Sequence, residues 1–203
     1  MDKKENNMTD QLLVEKVLRG DTNAFKTIIK NTEGLVTQII FKMISNDEDR
    51  KDIAQDVYLK AFQSLQHFKF QSKLATWIGH ITYNTCVNYL EKKKLVLLES
   101  TNNGDETKES PLVILNNKTI DISRNETENL IFRKEVSGIL KTGIDKLSPL
   151  YKTLITLYHN EELSYAEIAQ ITDLPEGTVK NYLFRARNKL RDNLLLTYKK
   201  EEL

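Results

Sequence analysis

Between Thr178 and Arg191 the chain carries five cations, Lys180, Arg185, Arg187, Lys189 and Arg191, and no acid. At helical spacing Lys180, Asn181, Phe184, Arg185 and Asn188 line one side, while Val179, Leu183, Ala186 and Leu190 line the other. Such a helix suits the DNA major groove, where Arg and Lys donate to guanine O6 and N7 and Asn pairs with adenine. Backbone N–H groups around Gly177 and Thr178 would hold a phosphate at the helix start. A solvated basic face is the alternative reading of a lone basic helix. Here the cap, the turn and the acid-free helix occur together, which favours DNA.

Two short helices must position that face. Ser164 and Glu167 have the Ser-x-x-Glu spacing of a capping box. Tyr165, Ile168 and Ala169 follow on one face, and Asp173-Leu174-Pro175-Glu176-Gly177 breaks the pattern before a second helix from about Glu176. This is a helix-turn-helix, a motif that repressors, response regulators, transposases and sigma factors all use. By itself it leaves those functions open.

Other chemistry finds little support. His67, His80 and His159 have no metal-ligand spacing, no Ser/His/Asp arrangement or paired carboxylates stand out, and no phosphate-binding P-loop is present. No catalytic residue, metal or cofactor is predicted. The single cysteine, Cys86, sits in an apolar helical stretch and reads as a small core side chain.

Composition sets wider bounds. The 203 residues are 39% hydrophobic and 29% charged, with a net charge of +1. DNA binding would therefore rely on local basic faces. No apolar run approaches the roughly 20 residues of a spanning helix. The start, MDKKENNMTDQ, lacks the apolar core of a signal peptide. A cytoplasmic protein without membrane insertion is expected. Seven Gly and three Pro point to an all-α fold rather than to many tight β-turns.

Periodicity predicts helices over 9–19, 21–31 and 34–44, with Gly20 as a stop signal after the first. A stronger helix covers 49–66, with Ile53, Val57, Ala61 and Leu65 inward. Its opposite stripe, Asp52, Gln55, Asp56, Leu59 and Gln63, is either solvated or a docking surface; the pattern favours the solvated face. An irregular joint follows, His67-Phe68-Lys69-Phe70-Gln71-Ser72-Lys73-Leu74. Aromatics beside cations can stack unpaired bases and hold phosphates. Phe68 and Phe70 are expected to be exposed there, and Trp77 to pack inward. The helix over 76–94 carries a polar stripe, His80, Asn84, Asn88 and Glu91. Residues 97–127 read as a flexible, acid-leaning linker, interrupted by Val113, Ile114, Leu115, Ile120 and Ile122. A second helical unit spans 128–203. Gly143 is a break in it, and Ser148-Pro149 restarts a helix.

The two units together resemble bacterial sigma factors of RNA polymerase. Asp52-Ile53-Ala54-Gln55-Asp56-Val57-Tyr58-Leu59-Lys60-Ala61-Phe62 is similar to the family's core-polymerase-binding helix. Phe68 through Thr76-Trp77-Ile78 to Asn84 resembles the part that melts and reads the −10 element. Leu163-Ser164-Tyr165-Ala166-Glu167-Ile168-Ala169 and Gly177-Thr178-Val179-Lys180 resemble the reader of the −35 element. Two such units and a linker in a short chain look like the extracytoplasmic-function (ECF) subfamily, sigma-E-like.

The resemblance implies two small helical domains: region 2 over 1–96 and region 4 over 128–203. It implies that Asp52, Gln55, Asp56 and Leu59 meet core RNA polymerase at the β′ clamp coiled coil, with the β flap as a further contact. That replaces the solvated reading of the stripe. Phe68, Lys69, Phe70, Gln71, Ser72 and Lys73 would form the pocket loop for a flipped −10 base, with Asn84 and Asn88 along the single strand. Thr178, Lys180, Asn181, Phe184, Arg185 and Arg187 would face the −35 duplex, with Arg187 nearer phosphate. An anti-sigma factor, common in the family, would target the same faces. The chain departs from the family at three places. Phe70 stands where the pocket loop often has glycine, Tyr158-His159 where a basic contact is common, and Gly79-His80 where larger or basic residues are common. A helix-turn-helix repressor or response-regulator output is the alternative; it leaves 49–88 without a role.

Overall fold

The computed structural model describes the backbone of residues 3–100 and 128–201, and side chains over 9–94 and 137–195. Residues 101–127, the greater part of the expected linker with its five apolar residues, lie outside the described residues. Every regular element among the described residues is helical: α1 Lys3–Leu18, α2 Thr22–Met43, α3 Asp47–Ser64, a 3₁₀ turn Leu65–His67, α4 Leu74–Ser100, α5 Glu128–Asp145, α6 Pro149–His159, α7 Tyr165–Thr172 and α8 Glu176–Glu201.

Local chemistry sets most of the boundaries. Gly20 ends the first turn-out with φ +97°, a conformation in which a Cβ is strained. Asp21 then caps α2 by accepting from the N–H groups of Asn23 and Ala24, and Asn46 caps α3 through Glu48 and Asp49. Lys73 precedes α4 and has no capping side chain. Asp10 of α1 substitutes: its carboxylate accepts the Leu74 N–H at 3.0 Å, which ties α1 to the start of α4.

Two sequence expectations fail for the same reason. The predicted helices over 21–31 and 34–44 are one helix, α2, running through Gly34, and α5 runs through Gly143. A helical glycine costs about 1 kcal/mol relative to alanine, and tertiary burial outweighs that here. Ile28, Val36, Ile39 and Ile40 of α2 are buried. At Gly143 a Cβ would stand 2.9 Å from Leu194 Cδ2 and 3.0 Å from Leu190 Cδ1, so this glycine lets α8 approach α5.

The two units are not separate bodies. α2 packs on α3 and α4 within the first unit, and α6 packs on α7 and α8 within the second; α2 also packs on α6, and α4 on α7. One continuous core links Val14, Ile39, Val57 and Ile78 to Leu154, Leu157, Ile168 and Leu183. Buried threonines do not disturb it. Thr32, Thr82, Thr153 and Thr172 each donate their hydroxyl to the carbonyl four residues earlier, at 2.8–2.9 Å.

Candidate promoter and polymerase interfaces

The helix-turn-helix is built as its sequence predicts. The Ser164 hydroxyl accepts the Glu167 N–H, and the Glu167 carboxylate accepts the Ser164 N–H at 3.0 Å. Asp173 ends α7 at φ +56°, in the left-handed region that Asp tolerates. Val179, Leu183 and Ala186 of α8 are fully buried. That turns Lys180, Asn181, Phe184, Arg185 and Arg187 to solvent. Phe184 is 64% exposed, a large apolar area for a recognition helix to leave open. One expectation is corrected. The Thr178 N–H is not available to a phosphate, because it donates to the Pro175 carbonyl at 2.8 Å; the Thr178 side chain is half-buried.

On α3 the inward row is Ile53, Val57 and Ala61, all buried, with Leu65 after it. Asp52, Gln55, Asp56 and Leu59 therefore share the exposed side, and Leu59 is 55% exposed. Sequence reasoning missed what lies next to them. Phe25 of α2 and Phe62 meet edge-on with centroids 5.0 Å apart, and Phe62 faces solvent. With Ile29, Ala54, Gln55, Tyr58 and Leu59 they line an apolar groove of about 490 Å³. The only sequence signal was a ring on the flank of a four-residue repeat, which does not separate core from rim.

The joint between α3 and α4 is where the sequence misleads most. Phe68 was expected to be exposed, but it is 7% exposed. It lies under Phe70 and Trp77, with centroids 4.7 and 5.0 Å away. Its place is in the support of the joint, not on its surface. The aperiodic stretch gave no face from which burial could be read. Phe70 is half-buried and has φ +56°. The left-handed conformation explains why glycine suits this position, and the ring's contact with Phe68 shows what holds phenylalanine there. Lys69 and Gln71 are exposed, Ser72 and Lys73 half-buried.

Of the remaining −10 candidates on α4, Asn84 is tied to the second unit through His80. Asn84 contacts His80 Nε2 at 3.0 Å, and His80 Nδ1 in turn meets the Ile171 carbonyl at 3.3 Å. Asn88 stays exposed. Lys73 Nζ lies 2.8 Å from Glu167 Oε1, an atom shielded from water and with no other partner among the described residues. Burial alone would raise the Glu167 carboxyl. The Lys73 ammonium and the Ser164 hydroxyl and N–H overcome it and hold the carboxyl at about 2. Gly79 completes the seam. A Cβ there would meet Ile171 Cδ1 and Cγ1 at 3.1 Å and Leu35 Cδ2 at 3.3 Å. The departures at Gly79 and His80 are thus the seat of α7 on α4.

Cys86 is fully buried, and burial pushes its thiol up to about 12, which suits packing rather than nucleophilic chemistry. No group of three or more His, Cys, Asp or Glu is arranged to hold a metal among the described residues.

An exposed basic helix on one unit, with an exposed polar stripe and an aromatic joint on the other, fits a two-region transcription-initiation factor. Family models agree: Sigma-70 region 2 matches residues 28–96, and Sigma-70 region 4 matches 137–190. The chain belongs to the ECF RNA polymerase sigma factors, of the sigma-E type. It is 32% identical over 193 residues to the ECF RNA polymerase sigma-E factor of Haemophilus influenzae, covering 92% of this chain and 96% of that one. The Escherichia coli K12 sigma-E factor is 30% identical over 192 residues, covering 90% and 93%. In fold, the chain is similar to the sigma factor RpoE of Bartonella quintana, solved with the anti-sigma factor NepR. The TM-score is 0.62 and the identity 22%, with 84% of this chain and 96% of that one covered. It is also similar to CnrH, solved with the cytosolic domain of CnrY, at TM-score 0.59 and 19% identity, covering 92% and 97%. No helix among the described residues is long and apolar enough to cross a membrane.

Proposed function

We propose that the chain's two units divide initiation between them, with boundaries near 1–96 and 128–203. Asp52, Gln55, Asp56 and Leu59 dock on the clamp coiled coil of core polymerase, and Leu59 enters it together with the Phe62 shoulder of the apolar groove. Lys180, Asn181, Phe184, Arg185 and Arg187 contact the −35 duplex, with Asn181, Phe184 and Arg185 toward the base edges of the major groove. Lys69, Phe70, Gln71, Ser72 and Lys73 capture an unstacked −10 base, and Asn84 and Asn88 follow the single strand. Unstacking costs a few kcal/mol per step, and the captured base offsets part of it. The protein acts by binding and not by turnover, in the cytoplasm where its polymerase and promoter are.

The observation that carries this reading is the exposed α3 stripe beside an apolar groove, on the same chain as a helix whose exposed face has no acid between Thr178 and Arg191. A repressor needs only the second. The seam adds a condition: Lys73 and Asn84 face DNA only after α7 leaves α4. A regulator of the anti-sigma kind, as in the Bartonella complex, would act by preventing that separation.

The test is run-off transcription with core RNA polymerase and a random promoter library, with and without the protein. New start sites sharing one box near −35 and one near −10 are expected. No new starts, with symmetric DNA binding by the protein alone, would support a repressor and remove the roles given to 52–88.

A further inference from the structure

The end of α6 departs from the basic residue common ahead of the turn, and the structure shows what stands there. The rings of Tyr158 and Tyr165 are stacked, with centroids 5.1 Å apart and planes 11° from parallel. The Arg187 guanidinium lies over the Tyr158 ring at 5.1 Å, and Lys180 Nζ over the Tyr165 ring at 5.4 Å. His159 closes the far side, edge-on to Tyr158 at 4.9 Å. Burial and then the Arg187 charge lower its basicity, so it adds no third cation near neutral pH. Both rings are half-buried, and both cations are exposed.

Three features point outward rather than to the core. Neither Lys180 nor Arg187 takes part in any ion pair among the described residues. The two are seven positions apart on one flank of α8, about 10 Å along its axis, so each can meet its own phosphate. They border the row Asn181, Phe184 and Arg185 that faces the bases. A long cationic side chain on a helix flank is conformationally free, and an aromatic face beneath it fixes its direction.

We propose that Tyr158 and Tyr165 form an aromatic platform that positions Arg187 and Lys180 against the phosphates of one strand beside the −35 box. The platform takes over the anchoring that a basic residue ahead of the turn gives elsewhere in the family. Phosphate contacts set register and affinity without reading sequence. Tyr158 and Tyr165 are therefore positioning residues, and their loss weakens every −35 sequence by the same factor. The proposal rests on α8 being the −35 reader.

The experiment uses holoenzyme, reconstituted from core polymerase and the full chain. Equilibrium binding is measured over a salt series on a promoter fragment with both boxes and on fragments with altered −35 boxes. Tyr158→Ala should lose roughly 5- to 10-fold on every fragment and lower the salt slope by about one, the effect of one phosphate contact. Tyr158→Phe, which keeps the ring, should stay within about twofold of wild type. Because Tyr158→Ala also removes packing, a charge swap is the second arm. Arg187→Gln should lose about one unit of slope, and Arg187→Gln with Tyr158→Arg should regain it. Wild-type affinity and slope in both Tyr158→Ala and Tyr165→Ala, with −35 discrimination intact, overturn the platform. So does a loss that differs between −35 sequences, or a swap that regains nothing. If wild-type holoenzyme does not discriminate −35 boxes at all, the −35 reading itself fails, and the platform falls with it.

Discussion

The two parts of this chain proposed to face DNA are held in opposite ways. The α8 face is presented by a regular helix whose inner row is fully buried and whose outer row is in solvent. The joint over 67–73 is irregular, rests on a buried phenylalanine, contains a left-handed Phe70, and lends Lys73 to the other unit. One surface is preformed and open. The other is preformed but engaged. Reading duplex DNA needs only a rigid surface, whereas capturing an unstacked base needs groups that change partners. On the proposed reading, the conformational step of initiation would lie at the α4–α7 seam.

The largest expected effect breaks the open side. Lys180→Ala with Arg185→Ala removes two cations from the exposed face, Arg185 worth about 1–3 kcal/mol if it reads a base and Lys180 one phosphate contact. Transcription that depends on the −35 box should fall by one to several orders of magnitude. Binding to core polymerase, measured directly, should not change. A matching loss of polymerase affinity would show that the two surfaces are not separate.

Next comes the engaged side. Gly79→Val places methyl groups where Ile171 already stands 3.1 Å from the Cβ position. Overpacking of this kind costs about 1–3 kcal/mol. Its cheapest relief is to lift α7 off α4, because the α4 side is fixed by fully buried Ile78 and Thr82. Donor and acceptor dyes on α3 and α8 should report a longer separation, and the melting temperature should drop. A lower melting temperature without a longer separation would place the strain inside the first unit.

Phe70→Gly should have a smaller effect on stability and a selective one on function. The left-handed backbone costs a non-glycine residue about 1–2 kcal/mol, while the contact with Phe68 returns about 0.5–1.5 kcal/mol. The two nearly cancel, so the melting temperature should stay close to wild type. The −10 preference or the rate of promoter opening should shift, read from start-site profiles and permanganate reactivity. An unchanged profile would reduce the ring to a spacer.

This contrast also explains what was legible in the sequence. The capping box, the turn and the buried row of α8 are local and periodic, and they could be read from residue types alone. So could the exposed α3 stripe. The joint could not, because an aperiodic stretch gives no face to assign, and Phe68 was placed outside when it is inside. Gly79 and Gly143 were equally opaque, the one noted only as a departure and the other taken for a break. A glycine that admits a neighbouring helix resembles one that ends a helix until the neighbour, here Ile171 or Leu194, is known. The packing of α2 on α6 and α4 on α7 depends on contacts between residues far apart in the chain, 91 positions for His80 and Ile171, and no local signal encodes them.

The smallest expected effect is a pH dependence of the seam, and its sign is fixed by Glu167. Its carboxyl is depressed from the usual 4.5 to about 2, against the effect of burial, by Lys73 and by both donors of Ser164. A depressed carboxylate stabilises the folded form fully above its free value, and the contribution is lost as pH falls toward the folded one. The Glu167 contribution to the fold should therefore be lost between about pH 4.5 and 2, with the Lys73 part of it belonging to the seam and the Ser164 part to α7 itself. Lys73→Met removes the partner across the seam but leaves the Ser164 bonds, so it should raise the Glu167 carboxyl only part of the way. The window would then start at the same pH and close higher. Because the pair is partly exposed, solvent screens it, and at neutral pH Lys73→Met should open the seam less than Gly79→Val does. Carboxyl titration of Glu167 followed by NMR in both proteins gives the two end points. An unchanged titration in Lys73→Met would assign the whole depression to the capping box, and the seam would then be held by Ile171 against Gly79 and His80.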